Sequence, residues 1–338
     1  LEKGKENHMH STRRHVLLYG LAAASLAAEA LQPVVIALSS NSLAYGGLRI
    51  AEQLHLFERN GLAPRIVVLD SGSGATAALI GGSAAFASSG PAEVIAARVH
   101  GLEVGIVTGI YRGFAAPIVL ASSVADKLAI KPTASLTDRF KALDGLTIAV
   151  PSATSALLAP VRMSAEDAGA KVKFVYLAQP TMPAALQAGA IQGYVASSPF
   201  WTMSVRTKAG IVWIDAPRGE LPPKNSPSSS AVLETTTKYA EAHPDVVKSM
   251  RAVFADAARA IRSDPTAAFQ ALVAAYPQVD TETLRVTFDH DSGNWSDPDM
   301  TEANMVQEIS LLRQTGDLPG LDKLNPADLF IKGDATAH

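Results

Sequence analysis

Short apolar runs that empty into small hydroxyl residues, each followed by helical spacing, repeat along most of the chain. Residues 34–38, 65–69, 104–109, 118–121, 146–150, 172–176 and 212–215 read as strands. Between the first two, residues 43–60 read as one amphipathic helix, with Leu43, Leu48, Ala51, Leu54 and Phe57 on a face and Gly61 as its stop. Helices are also expected over 91–100 and 156–168, and a polar connection with a helix over 126–144. Residues 220–230 (ELPPKNSPSSS) form a proline-serine loop too long for a simple turn. From Ala231 onward the pattern is mostly helical, over 239–262, 267–276, 281–288 and 301–314.

One phrase occurs twice, at 77–91 (AALIGGSAAFASSGP) and at 184–199 (AALQAGAIQGYVASSP). Each copy reads as helix end, glycine turn, buried strand and Ser-Ser edge, with Gly82 and Gly189 where a left-handed C-cap is wanted. An apolar strand, hydroxyl turn and helix precede each copy, at 34–54 and 146–167, so two lobes of similar build are expected. Parallel α/β units bind ligands outside the carboxyl ends of their strands. Ser39, Ser40 and Asn41, and then Ser152, Thr154 and Ser155, fall at such ends. There the amides that start a helix lack internal partners and the dipole favours an anion. The same residue types are also the preferred N-caps, so capping alone is the competing explanation for any single serine.

Composition narrows the functions. A chain of 338 residues is expected to hold more than one domain. With 48% hydrophobic and 18% charged residues it suits packed helices and sheets, not disorder. A net charge of -3 without a basic stripe leaves polynucleotide binding without its electrostatic footprint. The absence of cysteine excludes disulfides, thiolate ligands, a cysteine nucleophile and a lipid-anchored cysteine. Residues 11–30 read as an export signal, with Arg13-Arg14, an apolar run over 16–28 and Ala28-Glu29-Ala30 as a cleavage site; the arginine pair favours the twin-arginine route.

Candidate chemistry is sparse. The Ser71-Gly72-Ser73-Gly74 turn lacks the lysine of a phosphate loop and the spacing of a dinucleotide fingerprint. No Gly-x-Ser-x-Gly elbow exposes a nucleophile. Asp289-His290-Asp291 suggests a metal, but it is expected in a loop between helices, where such residues serve as caps. His55 and His100 lie in expected helices. Arg112, at a strand end, suits a carboxylate or sulfonate, or else stands solvated at the surface. Phe200 and Trp201, beside Ser197-Ser198, suit either a ligand with an apolar body or core packing.

Taken in order, residues 44–62, the 71–74 turn, Ala78-Leu79 with Gly82, residues 143–151 (LDGLTIAVP) and Ala185-Leu186 with Gly189 resemble the periplasmic substrate-binding proteins of the nitrate, sulfonate and taurine transport type, relatives of the thiamine-precursor binders. The likeness covers about residues 33–300. It departs where the family commonly has an aspartate three residues after each repeat glycine: Ala85 and Gln192 stand there. No acid is found at the 197–201 edge to hold an ammonium, which counts against taurine.

The resemblance implies an α/β, two-lobed periplasmic binding protein of type II, with a mixed sheet in each lobe, a hinge between them and a helical C-terminal region. The expected division is 1–30 export signal, 31–114 first part of lobe 1, 115–231 lobe 2 and 232–338 second part of lobe 1. It further implies a monomeric, periplasmic receptor of an ABC importer, free of cofactor, metal and nucleic acid, that closes on a small organic anion and delivers it to an inner-membrane permease. Ser39, Ser40, Asn41, Ser73, Ser89, Ser152, Thr154 and Ser198 would supply hydroxyls and amides, Arg112 a guanidinium, and Tyr45, Tyr111, Phe200 and Trp201 an apolar wall. A binder of a pyrimidine-like heterocycle is the alternative. The fold also hosts a lyase of aryl sulfinates and a pyrimidine-precursor synthase, but both depend on cysteines that this chain lacks.

Overall fold

The computed structural model describes residues 30–69, 71–152, 155–316 and 318–332. Residues 1–29 of the expected export signal and Thr154 lie outside them. Among the described residues ten strands form two five-stranded sheets. The first comprises β1 (Gln32–Leu38), β2 (Leu62–Val68), β3 (Phe86–Ser89), β4 (Val104–Arg112) and, much later in the chain, β10 (Ser229–Thr236), in the order β2-β1-β3-β10-β4. The second comprises β5 (Ile118–Ala121), β6 (Thr147–Val150), β7 (Lys173–Tyr176), β8 (Gly193–Val195) and β9 (Gly210–Ile214), in the order β7-β6-β8-β5-β9.

The two sheets share one plan. β1 pairs in parallel with β2 and β3, as β6 does with β7 and β8. The fourth strand of each, β10 or β5, runs antiparallel to both neighbours. β5 is the first strand after the chain leaves β4, and β10 the first after it leaves β9, so each crossing between lobes feeds the antiparallel strand of the lobe it enters. The doubled phrase occupies equivalent places: the Gly72–Ile80 and Met182–Gln187 helices end before Gly82 and Gly189, whose φ of 74° and 72° reverse the chain into β3 and β8. A side chain is strained in that left-handed region and glycine is not.

Each sheet buries its inner strands between layers of side chains. Val34, Ile36 and Leu38 of β1, with Leu233 of β10, join a core completed by Leu284, Phe288 and Trp295 of the Thr281–Trp295 helix. Ile118, Leu120, Ile148 and Trp213 centre the core of the second sheet. The C-terminal helices therefore pack on the first sheet although they follow the second in sequence.

Three expectations are corrected. β10 falls where the chain reads as loop and then helix; its Val232 and Leu233 point into opposite cores, and the charge at Glu234 hides a central strand. The helix expected over 43–60 is broken into Leu43–Tyr45, Gly46–Gln53 and Leu56–Arg59, with His55 left-handed at φ 54°, which lets both Leu56 and Phe57 reach the core. The Asp289-His290-Asp291 triplet is not in a loop, because the helix from Thr281 continues to Trp295, anchored by Phe288 and Trp295. Among the described residues no helix is long and apolar enough to cross a membrane.

Candidate functional site

The ends of β1, β3, β6 and β8 carry the hydroxyl residues picked out in the sequence. Ser39 follows β1 and shares a short hydrogen bond with the Tyr45 hydroxyl. Ser40 Oγ accepts from the Ser42 amide at 3.4 Å. Asn41 Oδ1 accepts from Arg49 at 3.1 Å, and the same guanidinium is paired with Glu52 at 2.9 Å. The Tyr276 hydroxyl, fully buried, donates to the Ser42 carbonyl at 3.0 Å and fixes this turn from the C-terminal helices. Ser73 is exposed in the first turn of the Gly72–Ile80 helix, whose N-cap is Ser71, accepting from the Gly74 amide at 3.0 Å.

The edge of the second lobe comes from the second copy of the phrase. Ser152 lies half-buried just beyond β6. Ser198 is buried; its hydroxyl donates to Asp291 Oδ2 at 2.7 Å and accepts from Trp201 Nε1 at 2.7 Å. Phe200 is half-buried, and its carbonyl accepts from the Tyr194 hydroxyl at 3.0 Å. The two edges meet: the Leu43 amide of the first lobe donates to the Ser198 carbonyl of the second at 3.3 Å.

Six predicted residues have partners other than an open cleft: Ser198 as described, Tyr45, which is buried in the first core with its hydroxyl on Ser39 and so is no exposed wall, and the four that follow. Ser89 is fully buried and donates to Glu234 Oε1 at 2.9 Å, as Thr76 does at 2.6 Å. Trp201 is buried against His290, with ring centroids 4.6 Å apart. Tyr111 is buried in the first core, its hydroxyl facing Asp291 outside hydrogen-bond geometry; burial first, then the Asp291 and Asp215 carboxylates, push it well above its ordinary value. Arg112 pairs with Asp297 at 2.8 Å and donates to the Asp299 carbonyl at 2.6 Å, so its guanidinium is engaged where the chain leaves the first lobe.

Sequence reasoning missed three acids here. Glu93 lies beside the edge of the first lobe, where a methyl at Gly72 would meet its Oε1 at 2.6 Å and one at Gly90 its Oε2 at 2.8 Å, so two glycines make room for one carboxylate. Burial raises its pKa, against hydrogen bonds from its own amide and that of Gly90. Glu234, fully enclosed, is raised to about 7 by burial, against the hydroxyls of Thr76 and Ser89. Asp291 is the acid that the 197–201 edge was expected to lack. The Gly-Pro start of the Pro91–Val99 helix, with Glu93 three residues after the Gly90 N-cap, was the available signal for Glu93; nothing local marks the other two.

Ser198, Asp291 and His290 form a chain, but the imidazole touches the carboxylate and not the serine, so it cannot take the hydroxyl proton directly as a nucleophile's base must. Among the described residues no group of three His, Cys, Asp or Glu side chains is arranged to hold a metal. Where Gln192 replaces the family's aspartate, its Oε1 accepts from the Thr147 amide at 2.6 Å and ties the start of β6 to the end of the repeat turn. A separate pocket of about 330 Å³, lined by Leu136, Phe140, Ser164, Asp167, Pro222 and Lys224, lies on the second lobe, and its one cation is paired with Asp167 at 2.8 Å.

Residues 43–276 match the NMT1-like family. The chain belongs to that family. Among curated proteins none matches in sequence. Among solved structures this NMT1-like chain is similar to the alkanesulfonate-binding protein of Xanthomonas axonopodis pv. citri bound to MOPS, at TM-score 0.66 and 17% identity over 90% of this chain and 99% of that one. It is similar to the periplasmic aliphatic sulphonate binding protein of Escherichia coli, at 0.67 and 16% over 89% and 99%. A third likeness is to the periplasmic nitrate-binding protein of Synechocystis PCC 6803, at 0.64 and 13% over 88% and 87%. These likenesses establish the two-lobed α/β fold of periplasmic binding proteins.

Proposed function

We propose that this NMT1-like chain is the solute-binding receptor of an ABC importer, working in the periplasm and capturing a small organic anion, an aliphatic or aromatic sulfonate or carboxylate, for delivery to a permease. The observation that carries this reading is the contact between the two hydroxyl-bearing edges, Leu43 amide to Ser198 carbonyl at 3.3 Å. It brings strand ends that the sequence separates by more than a hundred residues against one another, which supports reading them as the two sides of one binding gap. Strand-end hydroxyls and helix-start amides offer donors without a full positive charge, which suits reversible capture of a weakly basic anion. The names of the sulfonate- and nitrate-binding neighbours agree with that class. Turnover is disfavoured by the lack of cysteine and by the engagement of Ser198 with Asp291 and Trp201.

One observation favours a second reading. The Glu93 carboxyl between Gly72 and Gly90 offers an acceptor to a heterocycle rich in N–H groups, such as a pyrimidine. A thermal-shift panel of sulfonates, aromatic carboxylates, nitrate and pyrimidines separates the two, because a ligand that binds only the native state raises its melting temperature by mass action. At a hundredfold excess over Kd the rise is on the order of 5 °C. A shift with sulfonates or carboxylates supports the anion receptor; a shift with pyrimidines alone moves the assignment to the heterocycle; a shift with sugars or cations alone overturns both.

A further inference from the structure

The Thr281–Trp295 helix sends three polar side chains, His290, Asp291 and Asn294, against the places where the chain crosses between lobes. Asn294 Nδ2 donates to the Arg112 carbonyl at 2.8 Å on one crossing and to the Pro217 carbonyl at 3.1 Å on the other. His290, with 9% of its side chain exposed, stands between two carboxylates. Its Nδ1 is 2.6 Å from Asp291 Oδ1, and its Nε2 is 3.0 Å and 3.1 Å from the two oxygens of Asp215, which follows β9 in the second lobe. An imidazole with an acceptor on both nitrogens satisfies both only when both carry a proton. From Asp291 the chain continues to Ser198 and from there to the Trp201 indole, each at 2.7 Å, and that indole packs on the His290 ring.

We propose that His290 is the fixed point of the gap: a positioning residue that ties Asp215 of the second lobe to Asp291 on the C-terminal helix of the first and, through Asp291, holds Ser198 and Trp201 against the first lobe, so that any relative movement of the lobes pivots about it. A doubly protonated ring bonded to one carboxylate from each lobe is a charge-assisted link that neither lobe can make alone. The charged and titratable groups around it are Asp215 and Asp291, the Tyr111 hydroxyl that faces both, and Arg218, whose Nε is 3.9 Å from Asp215. Burial alone lowers the imidazole's pKa, but the two carboxylates outweigh it and raise the ring to about 9, so it stays charged through the neutral range. The bearing of this link on capture rests on the receptor reading above; the link itself does not.

The test therefore uses the protein without ligand. The chain has no cysteine, so Arg65→Cys on β2 and Lys173→Cys on β7, both exposed and each on an outer strand of its sheet, give a single pair of spin labels across the lobes. Their distance distribution is measured in the parent and in His290→Gln and Asp215→Asn, the second keeping the His290–Asp291 pair while losing the charge from the second lobe. Trp201 N–H and His290 ring resonances are followed with pH. Expected is one narrow distance in the parent, a broadened distribution in both variants at pH 7, and a ring that titrates near 9 and moves the Trp201 N–H as it does so. If His290→Gln does not fold, Asp215→Asn carries the test. An unchanged narrow distance in Asp215→Asn, or a His290 ring that titrates near its ordinary 6.5 with no effect on Trp201, overturns the proposal. Failure of every anion in the thermal-shift panel would leave these results as they stand.

Discussion

Glu234 shows how a single residue carries consequences that its neighbours in sequence do not announce. It sits in β10 with no exposed surface, accepts from Thr76 and Ser89 on the same oxygen, and leaves Oε2 without a partner. Its folded pKa of about 7 lies above the ordinary 4.5. The native state therefore holds the proton more tightly, and stability present below pH 4.5 is lost as pH rises through 7. The loss is roughly 3 kcal/mol at about 1.4 kcal/mol per unit. Glu234→Gln keeps the acceptor for both hydroxyls without the charge, so its urea midpoint is expected to vary less between pH 4.5 and 8 than the parent's and to exceed it at pH 8; a parallel decline in both proteins would contradict this. The strand-end places of Ser39, Ser152 and Ser198 were legible because a hydroxyl at the end of an apolar run is a local pattern. Asp291 was not, because its role exists only against Ser198, 93 residues away.

At the scale of elements, the parallel strands and their glycine turns were readable from apolar runs and from the repeated phrase, since both are local and occur twice. β10 and the full length of the Thr281–Trp295 helix were not. The first is a strand held by its two neighbours in spite of Glu234, and the second continues through polar residues that find partners on other elements. The start of the Gly46–Gln53 helix depends on the same long helix: a methyl at Gly46 would fall 2.6 Å from the Trp295 ring, too close for any real side chain. Gly46→Ala is therefore expected to destabilise the protein by about 1–3 kcal/mol, by overpacking rather than by backbone strain. A melting temperature equal to the parent's would show that the Trp295 ring can yield.

For the whole molecule, the sheet plan written twice makes each lobe present the same strand ends, and the two crossings bring those ends together. The lobes were legible as a repeat; how they meet was not, because that depends on Asp215, His290 and Asp291 drawn from distant stretches. The most direct measurement of the central claim is where an anion rests. Crystals soaked in 4-bromobenzenesulfonate would report its bromine by anomalous scattering. The account predicts a peak between the Ser39–Asn41 turn and the Ser152 and Ser198 edge. A peak confined to the pocket lined by Phe140, Asp167 and Lys224, with none between the two edges, would contradict it.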